Sequence, residues 1–141
     1  RSWLPILDQA QAEGWDHIVA SHTFHEIQMY YPMRSYRDRN YKLIWNIAYR
    51  QPYPFASDLW VAATWQAQWE KGQDATYGDR SVKSYIQRPQ FELFDISSDP
   101  DETRNLAELP QHAELLKKYQ DKLKAAQKET GDPWIMKWKY E

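Results

Sequence analysis

Three side chains able to do chemistry crowd one short stretch, His22-Thr-Phe-His25-Glu26. Two imidazoles beside a carboxylate can hold a metal ion or move a proton near neutral pH. At a strand edge the same groups would make ordinary hydrogen bonds, and no further well-spaced ligand or thiolate completes a metal set. Arg34, Arg37, Arg39 and Lys42 form a local positive patch that can bind an anion, such as a sulfated sugar, through charge-assisted hydrogen bonds. Arg37 and Arg39 read as the solvated end of a hairpin, whereas Arg34, at the end of an alternating stretch, is the better candidate for a fixed role. Asp99-Pro-Asp-Glu102 lacks both the EF-hand spacing and its central glycine, so it reads as a capped turn. Glu92 and Asp95 stand three apart on an expected strand, hence on opposite faces, and do not make a glycosidase pair. No glycine-rich phosphate loop, nucleophile elbow or zinc-protease motif occurs. The segment therefore carries no complete catalytic constellation, and no catalytic residue or metal site is assigned to it.

The elements that must position these groups follow from hydrophobic period and punctuation. Residues 1–14 read as a connector, a short helix or turn anchored by Trp3, Leu4, Ile6 and Leu7. Trp15 to Ala20 is β-compatible. From His25 to Arg34 the chain alternates, with His25, Ile27, Met29, Tyr31 and Met33 on one side and Glu26, Gln28, Tyr30 and Arg34 on the other, which predicts a half-buried strand. After the polar turn Arg37-Asp-Arg-Asn40 the alternation resumes through Tyr41, Leu43, Trp45 and Ile47, as in an antiparallel hairpin. Residues 15–50 thus hold strands, and Gln51-Pro-Tyr-Pro54 ends them because proline cannot donate to a ladder. Residues 51–89 read as a helical and loop insertion, with a helix over 57–71 capped by Ser57 or Asp58 and carrying Leu59, Trp60, Ala63, Ala67 and Trp69. Residues 90–109 hold a strand at Phe91–Asp95 and a Ser/Asp/Pro turn. Residues 110–131 read as the longest helix, with Leu116, Tyr119, Leu123 and Ala126 at helical spacing, Pro110 in its first turn and Gly131 at its C-terminal cap. Residues 132–141, with Trp134 and Trp138, form an aromatic tail that can fold back over the sheet. The expected fold is α+β, about four antiparallel strands packed against a long C-terminal helix, as one unit over residues 1–141.

Composition narrows the function classes. The 141 residues are 42% hydrophobic and 16% aromatic, with 8 Trp and 10 Tyr, which is too apolar for a disordered tail. Mean hydropathy is nevertheless −0.91, so the aromatic side chains sit among many polar ones. A net charge of −2 disfavours nucleic acid as a partner, since such binders carry a basic excess. With no cysteine there is no disulfide, thiolate zinc site or cysteine nucleophile. No apolar run approaches the roughly 20 residues of a membrane span. The opening Arg1-Ser-Trp-Leu-Pro5 has neither a start methionine nor a signal-peptide pattern and reads as the middle of a longer chain.

Several segments, in order along the chain, resemble the C-terminal region of sulfatases. Phe91-Glu-Leu-Phe-Asp-Ile-Ser-Ser-Asp-Pro-Asp-Glu-Thr-Arg-Asn-Leu-Ala107 is similar to that family's closing strand and turn, Tyr41-Lys-Leu-Ile-Trp-Asn46 to a strand before it, and Arg1-Ser-Trp-Leu-Pro-Ile-Leu7 to the exit from its catalytic domain. A narrower likeness, to the sulfamidase (heparan N-sulfatase) branch, lies in His25-Glu-Ile-Gln-Met-Tyr-Tyr-Pro-Met-Arg-Ser35, Pro52-Tyr-Pro-Phe55 and Glu129-Thr-Gly-Asp-Pro-Trp134.

The resemblance implies an N-terminal catalytic domain absent from this segment, bearing a formylglycine made from Cys or Ser in C/S-x-P-x-R together with a bound calcium ion. Tyr30-Tyr-Pro-Met-Arg34 has that motif's proline and arginine, but tyrosine cannot be converted to a formyl group. The family's small domain abuts the catalytic crevice, which implies substrate contact for His25, Glu26 and Arg34. The implied substrate is a sulfated glycan, an N-sulfated glucosamine of heparan type, with the parent a hydrolase and this segment inactive alone. The implied location is lysosomal in an animal and periplasmic or secreted in a bacterium. Without its large partner the segment is expected to self-associate. Two alternatives stay open: the C-terminal part of an O-sulfatase on sugar or aryl esters, and a non-catalytic carbohydrate-binding or structural module.

Overall fold

A computed structural model describes residues 2–26 and 29–140. Strands β1 (Ile18–His25), β2 (Met29–Arg37) and β3 (Tyr41–Asn46) form an antiparallel meander. The alternation expected over His25–Arg34 is in fact divided by a chain reversal: His25 closes β1, Glu26 takes a left-handed φ of 56°, and Met29 opens β2. A period of two survives such a reversal, so the pattern alone could not locate it. Ile27 and Gln28 of the expected strand lie outside the described residues.

Residues 51–89 depart further from expectation. Instead of one helix over 57–71 there are two, α1 (Ser57–Val61) and α2 (Ala63–Trp69), separated by an extended Ala62 with ψ 125°. Neither Ser57 nor Asp58 is the cap residue, which is Ala56. The break lets α2 bury Trp65, a residue outside the expected apolar set, beside Val82 and Ile86. A small hairpin, β4 (Thr76–Tyr77) and β5 (Arg80–Ser81), leads into α3 (Val82–Ile86), whose Ser81 side chain caps the Ser84 amide. Phe55, Leu59, Trp69 and Tyr85 complete this second aromatic core.

The chain then returns as β6 (Phe91–Asp95), antiparallel to β3, giving the strand order β1-β2-β3-β6. Asn105 covers the far edge of β6: its carboxamide oxygen accepts from the Leu93 amide at 2.8 Å and its nitrogen donates to the Phe91 carbonyl at 3.1 Å. Strand β1 forms the opposite edge and is largely exposed.

A single 3-10 turn at Pro110–His112 leads into α4 (Ala113–Thr130). Its apolar stripe places Tyr119, Leu123 and Ala126 against Tyr36, Leu43, Trp45, Ile47 and Leu93 of the sheet. Burying each large side chain there contributes about 1.5–3 kcal/mol. Gly131 stops the helix at φ 66°, a left-handed cap that glycine adopts without the Cβ clash. The tail turns back as a 3-10 segment, Pro133–Lys139, and the Trp138 ring stacks on Trp45 with centroids 3.9 Å apart. Its indole N–H donates to Gln127 at 2.7 Å. The expected α+β fold and the aromatic tail laid over the sheet are both present. The apolar anchors expected in residues 1–14 are not: Trp3, Leu4 and Leu7 are exposed, and only Ile6 is half-buried.

Trp138→Ala removes both the stack on Trp45 and the bond to Gln127. It is expected to lower stability by about 3 kcal/mol, read as a fall in the urea midpoint at unchanged slope.

Candidate functional site

The two histidines occupy different environments. His22 is half-buried on β1, and its Nδ1 lies 3.0 Å from the Tyr31 carbonyl. A carbonyl can only accept, so Nδ1 carries the proton and Nε2 is left as the basic nitrogen. His25 stands exposed at the end of β1. The ladder between β1 and β2 slips between His22 and Phe24, then resumes with His25 opposite Met29. Glu26 follows in the left-handed conformation, and its carboxylate oxygens accept from the Ser57 hydroxyl at 3.4 and 3.5 Å. Ser57 was read from the sequence only as a helix cap, because its contact with Glu26 spans β2 and β3. Among the described residues no three His, Asp or Glu side chains converge to hold a metal ion.

Arg34 is buried at 5% exposure and makes four hydrogen bonds. Its Nε and one terminal nitrogen donate to the two carboxylate oxygens of Asp132 at 2.6 and 3.0 Å. The other terminal nitrogen donates to the carbonyls of His22 and Met33 at 3.1 and 2.9 Å. Asp132 also accepts from Gln127 at 2.9 Å and from the Trp134 amide at 3.1 Å. The network joins β2, β1, the end of α4 and the tail. The positive patch read from the sequence is correspondingly smaller. Lys42 donates to both oxygens of Glu102 at 2.9 and 2.8 Å, leaving Arg37 and Arg39 exposed at the hairpin end.

Asp99 caps its turn by accepting from the Thr103 and Arg104 amides, as the residue types suggested. Beside the hairpin end that carries His25, Phe24 pairs with Tyr30, both half or more exposed, and Tyr30 approaches Trp134 at 6.4 Å. Tyr30, Pro32, Ile47, Arg50, Gln51 and Trp134 line a cleft of about 220 Å³. Polar groups beside exposed rings can take up the polar and apolar faces of a sugar. Burial pushes the Tyr31 hydroxyl up to about 12, so it stays protonated at neutral pH. The described groups give a surface with hydrogen-bonding corners beside exposed rings.

No protein-family model matches the chain. Human N-sulphoglucosamine sulphohydrolase is 37% identical over 138 residues, covering 96% of this chain and matching in the relative's C-terminal part. The chain belongs to the sulfatase family. It spans 27% of that relative's length. Among solved structures, a 2-O GAG sulfatase superposes with a TM-score of 0.56 at 17% identity, over 95% of this chain and 21% of its own. A protein in complex with its substrate D-glucosamine-2-N,6-O-disulfate superposes with a TM-score of 0.54 at 17% identity, over 94% and 20%. These two likenesses show the sulfatase C-terminal fold.

The only Pro-x-Arg in the sequence is Pro32-Met33-Arg34, preceded by Tyr30-Tyr31, and its arginine is committed to Asp132. The sequence holds no cysteine, and among the described residues no three His, Asp or Glu side chains converge.

Burial opposes ionisation of Asp132, but the donors from Arg34, Gln127 and the Trp134 amide outweigh it and hold its carboxyl below the usual range. A folded value below the unfolded one, ordinarily near ~3.9, stabilises above that pH and is lost as pH falls through the folded value. Asp132→Asn should therefore cost about 3 kcal/mol at pH 7 by leaving Arg34 buried and unpaired, and should flatten the acid limb of stability below about pH 4. Urea midpoints of both proteins at pH 7 and at pH 3 check this; equal acid slopes would remove Asp132 from the pair.

Proposed function

We propose that this chain is the C-terminal part of a sulfatase that hydrolyses the N-sulfate of glucosamine in heparan-type glycans. Water cleaves the sulfamate S–N bond, releasing sulfate and the free amine. The supporting observation is the 37% identity, along 96% of the chain, to a sulphohydrolase named for N-sulphoglucosamine. On this reading residues 1–141 act as one C-terminal subdomain. The formylglycine nucleophile and calcium belong to an N-terminal catalytic domain of the same protein, located in the lysosome of an animal or the periplasm or exterior of a bacterium.

His25 and Glu26, on the exposed hairpin end, supply substrate contacts to that crevice. Arg34, whose donors are spent on Asp132 and two carbonyls, serves by holding the strand that carries them. The full-length protein is expected to release sulfate from N-sulfoglucosamine, and His25→Ala to cut kcat/KM about tenfold with an unchanged melting temperature. Release from 2-O- or 6-O-sulfated sugars alone would instead make it an O-sulfatase. No release from any sulfated sugar would favour a non-catalytic module.

The isolated 141-residue chain is expected to release nothing. It exposes Trp3 at 68%, Leu4 at 77% and Phe24 at 67%. Its sedimentation coefficient should rise with concentration, and a strictly monomeric chain would contradict this.

A further inference from the structure

At the end of the sheet opposite His25 lies a cleft of about 490 Å³, within the ~300–1,000 Å³ typical of small-molecule sites. It forms where β1 begins and the β2–β3 hairpin turns, between Trp15, His17, Arg37 and Arg39, with Ile18 and Ile96 as apolar walls. Ile18 pairs with Arg37 across the ladder, so the strands hold one arginine at the mouth while the hairpin turn supplies the other.

The charge balance of this cleft differs from its residue list. Asp38 accepts from the Tyr119 hydroxyl at 2.6 Å, from Lys122 at 2.8 Å and from the Asn40 and Tyr41 amides at 3.0 Å. Asp16 lies 3.1 Å from the His17 ring nitrogen, and that ring stacks on Tyr36 with centroids 5.0 Å apart. Both carboxylates are thus engaged. The guanidiniums of Arg37 and Arg39 make no hydrogen bond or ion pair among the described residues. Two uncommitted planar forks beside an aromatic floor favour an oxyanion of fixed geometry on an organic ring.

We infer that this cleft binds a sulfate group of an oligosaccharide chain, as a subsite separate from the surface bearing His25 and Glu26. The two lie apart by the length of β1, eight residues, or roughly 23 Å. A single sugar cannot reach both, whereas an extended glycan can. The inference rests on the proposed sulfatase reading only in choosing a sulfated sugar over other polyanions.

The test uses the full-length protein and its Arg37→Ala/Arg39→Ala variant, with calorimetric binding of a heparin-derived octasaccharide. The variant should bind about tenfold more weakly with a shallower salt dependence, while turnover of monomeric N-sulfoglucosamine and the melting temperature stay unchanged. If that variant misfolds, Arg37→Lys/Arg39→Lys keeps the charge and should still weaken binding severalfold by losing the fork. Unchanged octasaccharide affinity in the folded variants overturns the subsite. An equal loss for polyphosphate of matched charge also overturns it, because the cleft would then read charge alone. If the wild type leaves N-sulfoglucosamine intact yet the arginines still govern octasaccharide binding, the proposed function fails and the subsite stands.

Discussion

A guanidinium taken out of water has to find compensating charge and acceptors, and the way Arg34 finds them organises much of this fold. Its partner Asp132 lies 98 residues further along the chain, immediately after the helix-ending Gly131. The ion pair can form only if α4 stops at that glycine and the tail turns toward β2. Gln127 then serves both sides, donating to Asp132 and accepting from Trp138. The same turn brings the Trp138 ring onto Trp45 and closes the apolar core beneath it. An unpaired buried charge costs several kcal/mol, so the arrangement penalises any other path for the chain end.

Two glutamates take left-handed backbone conformations that non-glycine residues rarely adopt, Glu26 at φ 56° and Glu102 at φ 55°. Such a conformation costs on the order of 1 kcal/mol and persists where surrounding contacts over-determine it. For Glu102 those contacts are the two-pronged bond from Lys42 and a carbonyl that accepts from Arg80. Glu26 sits at the end of the β1–β2 hairpin, close to Ser57 of α1. His25 and Glu26 are thus exposed where β1 ends, while His22 is turned to the Tyr31 carbonyl. One sequence cluster is thereby divided between a structural role and an exposed surface.

Much of this was legible in the residues. The stripe of Tyr119, Leu123 and Ala126, with Gly131 after it, marks α4 because helix periodicity and a glycine cap are local signals. Tyr41, Leu43 and Trp45 mark one face of β3, with Ile47 just past its end, because strand alternation is likewise local. The reversal at Glu26 was hidden because a charged residue in a left-handed turn carries no glycine or asparagine to announce it. The break at Ala62 was hidden because alanine favours helix, and only the burial of Trp65 against Val82 and Ile86 overrides that preference. Arg34 illustrates the remaining gap: its residue type signalled a fixed role, but the choice between substrate and Asp132 depends on a contact spanning most of the chain. The family resemblance rested on separate short runs, and their colinearity is matched by the extent of the relationship to the human sulphohydrolase.

The insertion between β3 and β6 is closed at its base and filled from within. Asn46 donates from its amide to the Gln90 carbonyl at 2.9 Å and from its side chain to the Pro89 carbonyl at 2.8 Å, and the Tyr53 amide reaches the Ile86 carbonyl at 2.7 Å. Above this neck, Trp65, Val82 and Ile86 form a core distinct from the one under α4. A lobe tethered in that manner can open and reclose as its own cooperative unit while the sheet remains paired. Because loop-closure entropy grows only slowly with length, such a lobe is also where evolution can lengthen or reshape the chain at little expense to the strands it connects.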